Sequence, residues 1–485
     1  MKKVIFYMCL LLLTTFSFSQ PIQLHPDNPH YFLHQGKPLI LITSAEHYGA
    51  VINPDFDYEK YLNTLAADGL NYTRIFTGSY IEKESSFGIK NNTLAPKSGR
   101  VVTPWARSET PGYINGGNKF DLDKWDDNYF KRLKNFITKA QERNIIVEVT
   151  LFSSIYMPDH WVYSPLYTAN NINQTDSVDY KSVNTPDNGN LFAHQESMVR
   201  KLVNELNGFD NIFYEIQNEP WADQTVTSFI LNPFDKESVE TWTKRVDLAS
   251  KVSLMWQDKI TSIITDEESM LFQKHLIAQN YCNFKYPVKD VNPAISIMNF
   301  HYAWPEVVDW NYGYNRVIGF DESGFAGSSD DVYRQQAWNF ILAGGGVFNN
   351  LDYSFYPGFE DGTGPNDAPG GGSAVLRAQL KILQEFMSGF DFIRMQPDFN
   401  IVVLAPGVLS RTLAEPGKQY AVYLSGGEQC DLIVNLPNGR YRAEWVNTKT
   451  GVIDKQEQFD HTGGRITLKS PDFKHDIALR IKCFK

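Results

Sequence analysis

Four cysteines in 485 residues are too few for a disulfide-built scaffold. Their spacing offers no zinc site, which would want paired Cys or His ligands. Neither HExxH nor GxSxG occurs, so the metallopeptidase and α/β-hydrolase chemistries have no foothold. No block of like charge stands out, and the formal charge of −11 argues against nucleic acid or any other polyphosphate partner. The Asp and Gly residues of "EDGTGPNDAPGGG" lack the regular ligand spacing of a calcium loop. Nothing in the pattern asks for a metal or cofactor.

The one marked apolar run, Val4 to Leu13, is shorter than the ~20 residues of a membrane-spanning helix. It follows Lys2 and Lys3 and precedes Ser17 and Ser19, the arrangement of a secretory leader cut before Gln20. Residues 1–19 therefore read as a signal peptide and the mature chain as soluble, secreted or periplasmic, without membrane insertion. Cys9 lies inside the apolar run rather than after a small-residue box, which speaks against a lipid anchor. Losing Lys2 and Lys3, with no acid beside them, takes the charge from −11 to −13. Export permits a disulfide between Cys430 and Cys483, though spacing alone does not fix their geometry.

Aromatic residues are plentiful, at 14%, and recur in apparent loops, where exposed rings suit sugars. Eight short apolar runs punctuate the first part of the chain: "PLILIT" (38–43), "YTRIF" (72–76), "IIVEVTLF" (145–152), "IFYEIQ" (212–217), "HLIAQ" (275–279), "ISIMNF" (295–300), "RVIGF" (316–320) and "VFNNLDY" (347–353). Helical patterns separate them, including 56–69, 125–144, 196–209, 241–264 and 329–345, and another (374–390) follows the eighth. Only the link between the fifth and sixth runs lacks a clear helix. Eight strands alternating with helices close most economically as a (β/α)8 barrel. Beyond Arg394 the texture changes to short alternating strands with "PNG" and "TGG" turns, a small antiparallel β-sandwich. The division is thus a catalytic barrel at 20–394, with an N-terminal strand or hairpin covering its floor or bracing the sandwich, and a C-terminal sandwich at 395–485.

Barrel enzymes carry their chemistry at the C-terminal ends of strands. Glu219 ends the fourth run in "NIFYEIQNEPW", and Glu322 ends the seventh in "RVIGFDESGF". Strands four and seven face one another across such a barrel, and two opposed carboxylates are what glycosidic cleavage requires. A glutamate at a helix start often serves only as a cap, and "NEP" alone is a common tripeptide. The pairing with Glu322 is what gives it weight.

"QNEP", "GFDESG", "TRIF" and "NFHYAW" at strands four, seven, two and six together resemble the clan A glycoside hydrolases, of the type represented by family 5 cellulases. The resemblance spans the barrel. It implies Glu219 as acid/base, Glu322 as nucleophile and a double displacement with retention. By the same resemblance Asn218 binds the hydroxyl beside the reacting carbon, Arg74 and Tyr302 hold the nucleophile, and His301 lines the pocket, with Trp304 close behind on the same motif. A general acid needs a partly desolvated site, whereas Glu322 must stay charged beside a donor such as Arg74. "SAEHYG" adds Glu46, His47 and Tyr48 at the rim, "MPDHWVYSPLY" adds Trp161 and Tyr163, and "NLDYSFYPGF" adds Asp352 and Tyr353. The resembled enzymes often carry a tryptophan after strand eight, where this chain has Tyr353 and Phe355. "YRAEWVNTKTGV" resembles a closing domain of bacterial glycosidases, with Trp445 read as core. The expected partner is a polysaccharide or oligosaccharide. The alternatives are a carbohydrate-binding protein on a degenerate barrel, and an exported peptidase for which no motif speaks.

Overall fold

Eight parallel strands run around the molecule: Leu41–Ala45, Tyr72–Phe76, Ile146–Ser153, Ile212–Asn218, Ile277–Asn283, Ile297–His301, Val317–Ser323 and Val347–Leu351. The computed structural model describes residues 20–223, 227–232, 234, 241–366 and 369–484, so the expected leader lies outside it. Hydrogen bonding links the strands in the order one, eight, seven, six, five, four, three, two. Strands one and two close the ring without a backbone ladder among the described residues. Asn71 fills the seam: its Oδ1 accepts from Ile42 N at 2.9 Å and its Nδ2 donates to Ile40 O at 2.8 Å. Asn71→Leu should leave both backbone groups unpaired and cost about 1–3 kcal/mol in urea unfolding. An unchanged midpoint would show that the seam does not need the amide.

The expected first strand (38–43) begins later, because Lys37–Leu39 folds back on Asn28–His34, which itself pairs with Gln23–His25. This N-terminal hairpin seals the barrel floor. Ile22 and Phe32 pack against Leu41, Tyr72, Ile146, Phe213 and their counterparts at the lower ends of the strands. Of the two positions open to the hairpin, the floor is the one it takes.

Helices form where a cap and an apolar stripe coincide. Asp126 accepts from Asn128 N and Tyr129 N to start Asp127–Gln141, whose Tyr129, Phe130, Leu133, Phe136, Ile137 and Ala140 are buried. Asp57, Ser250 and Ser373 cap Tyr58–Ala67, Lys251–Ser269 and Ala374–Ser388 in the same way. The helix expected over 241–264 therefore begins only at Lys251. Ahead of it Arg245–Leu248 is a strand, paired with Thr227–Ile230 and touching strand five through Leu248 and Cys282. Pairing with Thr227–Ile230 won over helical spacing there. The link from strand five to strand six has no helix among the described residues, and the next link holds a short one, Glu306–Asn311. No described helix is long and apolar enough to cross a membrane.

Above the apolar floor, the barrel interior turns polar. Barrels of this kind usually stack branched apolar side chains inside, but here Arg74, Glu148, Glu215, Asn280, Asn299 and Asp321 occupy the middle, all with 0–1% exposure. Gly319 makes room for them: a Cβ there would sit 2.2 Å from Asn299 Oδ1.

After a short turn at Phe392–Arg394, seven antiparallel strands build the C-terminal β-sandwich. Asp431–Val446 runs straight through "PNG" as one strand, because Ile453–Lys469 pairs with it along both halves. Trp445 is fully buried with Tyr420, Leu432 and Tyr441. All three described cysteines are free thiols. Cys483 lies opposite Tyr441, in the far half of the long strand that starts just after Cys430, so the two are not bonded. The other face of the Gln419–Ser425 strand meets the barrel: Ala421 and Tyr423 join the barrel's own core, and Tyr423 stacks on Trp338 at 5.5 Å. Arg334 reaches across to Asp476 with Nε at 3.1 Å and Nη2 at 2.5 Å.

Candidate active site

The fourth strand ends at Asn218 and hands over to Glu219 and Pro220. Proline denies its predecessor the right-handed helical region, and Glu219 takes φ +47°, a conformation uncommon outside glycine. Its backbone is held by Asn280, whose Oδ1 accepts from Glu219 N at 3.3 Å. Tyr48 (φ +62°) and Tyr302 (φ +51°) share this backbone state just beyond strands one and six. All three side chains line the same central pocket. Strained backbone clusters where side chains must be aimed rather than merely packed.

Glu322, on strand seven, faces Glu219 across that pocket. One carboxylate oxygen of each, together with a nitrogen of His301, lies within 4.8 Å of the others. Tyr156 donates to Glu219 Oε2 at 2.8 Å, and His301 Nδ1 lies 3.0 Å from Glu219 Oε1 and 3.6 Å from Glu322 Oε2. Tyr302 donates to Glu322 Oε1 at 2.9 Å, while Tyr48 and Arg74 both donate to Oε2 at 3.3 Å. Arg74 also holds Asn218 Oδ1 at 2.8 Å and is bonded to Glu215. Asn218 in turn donates to Tyr156 at 2.8 Å. One guanidinium thus ties Glu322, the strand-four end and the buried middle layer together.

The electrostatics follow from burial. Desolvation pushes the Glu322 carboxyl up and Glu219 adds to it, and these outweigh the opposing pull of His301, Arg74 and His47. The arginine contact alone would have held it down, as the sequence led one to expect; burial reverses the direction. Burial alone would lower the His301 imidazole, but Glu322, Asp321 and Glu219 around it raise it well above its usual range. Beneath them burial lifts Glu215 to about 7, whereas His301 and Arg74 outweigh burial at Asp321 and hold it at about 2. Burial and the charges around them thus drive the two carboxyls in opposite directions.

Of the residues singled out in the sequence, Glu219, Glu322, Asn218, Tyr302 and His47 line the central pocket; Arg74 and His301 lie directly beneath, bonded to the two glutamates. Tyr353 is buried behind His47, with ring centroids 5.8 Å apart. Trp161 is buried in its own loop, donating to Val178 O at 3.2 Å, and Trp304 lies outside the pocket with Lys285 Nζ 4.1 Å above its ring. Neither reaches the carboxylates.

Sequence reasoning missed the aromatic walls. An adjoining cavity of about 310 Å³ shares Phe87, Tyr156, Glu219, Tyr302 and Phe325 with the central pocket and adds Trp221 and Trp242. Glu82 lines both the central pocket and a further polar cavity of about 410 Å³. It also missed Glu148, Glu215 and Asp321, although each is an acid inside an apolar run, a signal that asks for a buried partner. Two trios, Glu219–His301–Glu322 and Glu215–His301–Asp321, bring ligand atoms close enough to hold a cation. Each carboxylate in them is already engaged by Arg74, a tyrosine or Asn280.

This constellation can protonate a leaving oxygen from one wall and attack from the other. Solved structures carry the same architecture. The chain is similar to a glycoside hydrolase with 12% identity and a TM-score of 0.61, covering 96% of this chain and 97% of that one. It is equally similar to a glycoside hydrolase family 5 protein from Bacteroides vulgatus ATCC 8482, with 12% identity and a TM-score of 0.61, covering 96% and 93%. They share one fold. At that identity the likeness is one of fold, from the N-terminal hairpin through the sandwich. Residues 100–194 match a family model described as a domain of unknown function (DUF6298), which takes in the hairpin after strand two, strand three and the loop that follows. No curated protein matches in sequence.

Proposed function

We propose that the chain is an exported retaining glycoside hydrolase acting on a polysaccharide or oligosaccharide. The observation that carries this is the approach of Glu219 and Glu322 to within 4.8 Å at the ends of strands four and seven. Retaining enzymes need carboxyl groups ~5–5.5 Å apart so that one can attack the anomeric carbon directly; inverting enzymes leave ~6.5–9.5 Å for a water. Glu219 protonates the leaving oxygen from beside Tyr156 and His301, and Glu322 attacks from beside Tyr302 and Arg74. Water, activated by Glu219 in its basic form, then releases the sugar. The leader pattern of residues 1–19 supports export, and the acidic charge and the aromatic walls suit a sugar rather than a nucleic acid.

The test is a screen of purified residues 20–485 against α- and β-linked polysaccharides and aryl glycosides, with the first-formed anomer followed by NMR. Retention of configuration supports the reading, and inversion removes it. Two finer results should follow. Tyr302→Phe, which deletes the donor to Glu322, should lower kcat/KM by about ten- to a hundredfold, the worth of a hydrogen bond to a charged group. The acid limb of kcat/KM should lie above the ordinary glutamate value of about 4.3, because attack needs the Glu322 anion and burial raises its pKa. A limb at or below that value would contradict the assignment of Glu322.

A further inference from the structure

The central pocket has an uneven charge. Three carboxylates line it, Glu82, Glu219 and Glu322, against a single imidazole, His47, and no lysine or arginine is among its described lining residues. Arg74 lies beneath, fully buried and committed to Glu215, Asn218 and Glu322. The aromatic cavity with Trp221 and Trp242 shares Glu219, but neither Glu322 nor Glu82, with the central pocket. Glu82 lines the central pocket and the polar cavity beside it but takes no part in the aromatic one.

Glu82 has no part in the displacement, yet it is built in with care. Its Oε1 accepts from Tyr80 at 3.1 Å, and its Oε2 is bonded to Asn92 and lies 3.3 Å from His47 Nε2. His47 Nδ1 is buried and has no hydrogen-bond partner. A sugar hydroxyl, which both donates and accepts, can satisfy that nitrogen and the remaining lone pair of Glu82 together. A sugar carboxylate or sulfate would instead be set against the Glu82 and Glu322 carboxylates in a desolvated space.

We propose that Glu82, held by His47 and Asn92, is a specificity-determining residue that selects a neutral, hydroxyl-bearing sugar in the central pocket and rejects an anionic one. The inference rests on the hydrolase reading and narrows its substrate class.

The experiment pairs neutral glycans (β-mannan, β-glucan, xylan, galactan) with anionic ones (polygalacturonate, alginate, glucuronan). Binding is read by affinity electrophoresis of Glu322→Gln, and turnover by wild type and Glu82→Gln. The expected result is retardation and cleavage on a neutral glycan only. Glu82→Gln, with its thermal midpoint kept, should lose about ten- to a hundredfold in kcat/KM and show a narrower preference for neutral over anionic substrate. A merely structural Glu82 would not move that preference. Preferred binding or cleavage of an anionic glycan, or an unchanged kcat/KM in Glu82→Gln, would overturn the proposal while leaving the hydrolase reading in place. A neutral glycan that retards the protein yet is never cut would support the selection and remove the hydrolase reading instead.

Discussion

Glu322→Gln should remove essentially all turnover, with kcat/KM falling by about 10⁵-fold or more, as when a covalent nucleophile is deleted elsewhere. The amide keeps the shape of the carboxylate and can still accept from Tyr302, so the thermal midpoint should hold. What disappears is the charge that, in the proposed double displacement, forms the bond to the anomeric carbon. A 2-deoxy-2-fluoro aryl glycoside of the accepted sugar, which slows release of the intermediate, should leave its mass on the peptide containing Glu322 in the wild type. Glu219→Ala should behave differently. Losing the general acid costs about 10²–10⁴-fold on a natural glycan, but much less on an aryl glycoside whose leaving group needs no proton. Undiminished glycan hydrolysis by either variant would sink the assignment.

Arg74→Met should cost about 3–5 kcal/mol of stability, the penalty for stranding a buried charge partner. Arg74 has no exposure, and its guanidinium contacts Glu215, Asn218, Thr150 and Glu322, with Asp321 3.5 Å and Glu148 3.7 Å away. Lysine should rescue little, because a point charge cannot span that fork of acceptors. Adding Glu215→Gln to Arg74→Met should restore part of the loss, which a double-mutant cycle in urea would measure. An Arg74→Met protein with wild-type stability would mean that the acids beneath the site neutralise one another without it.

The barrel was legible because its strands are short apolar runs set off by turns and capped helices, and local pattern survives in the sequence. Glu219 and Glu322 stood out as polar residues ending such runs. Trp242 did not, because its segment has helical spacing, whereas it sits in a short turn, Trp242–Lys244, that leads into the strand Arg245–Leu248 paired with Thr227–Ile230. Trp161 looked like a sugar platform, but whether a loop aromatic faces solvent or its own loop is decided by residues far along the chain. The "PNG" at 437–439 has turn propensity, yet a partner strand in register on both sides keeps it extended. Glu148, Glu215 and Asp321 left a trace, acids amid hydrophobic neighbours, but their meaning lay in an arginine from a different strand.

One face of the sandwich is continuous with the barrel's core. Ala421, Tyr423 and Ala478 count among the barrel's own core residues, and Arg334 is bound to Asp476 out of water. Such a seam behaves less like a hinge between two modules than like the keel of a single hull. Neither half could be cloned, grafted onto another catalytic unit or shed by a protease without opening the other to solvent, so this pair must be inherited, expressed and engineered as one piece.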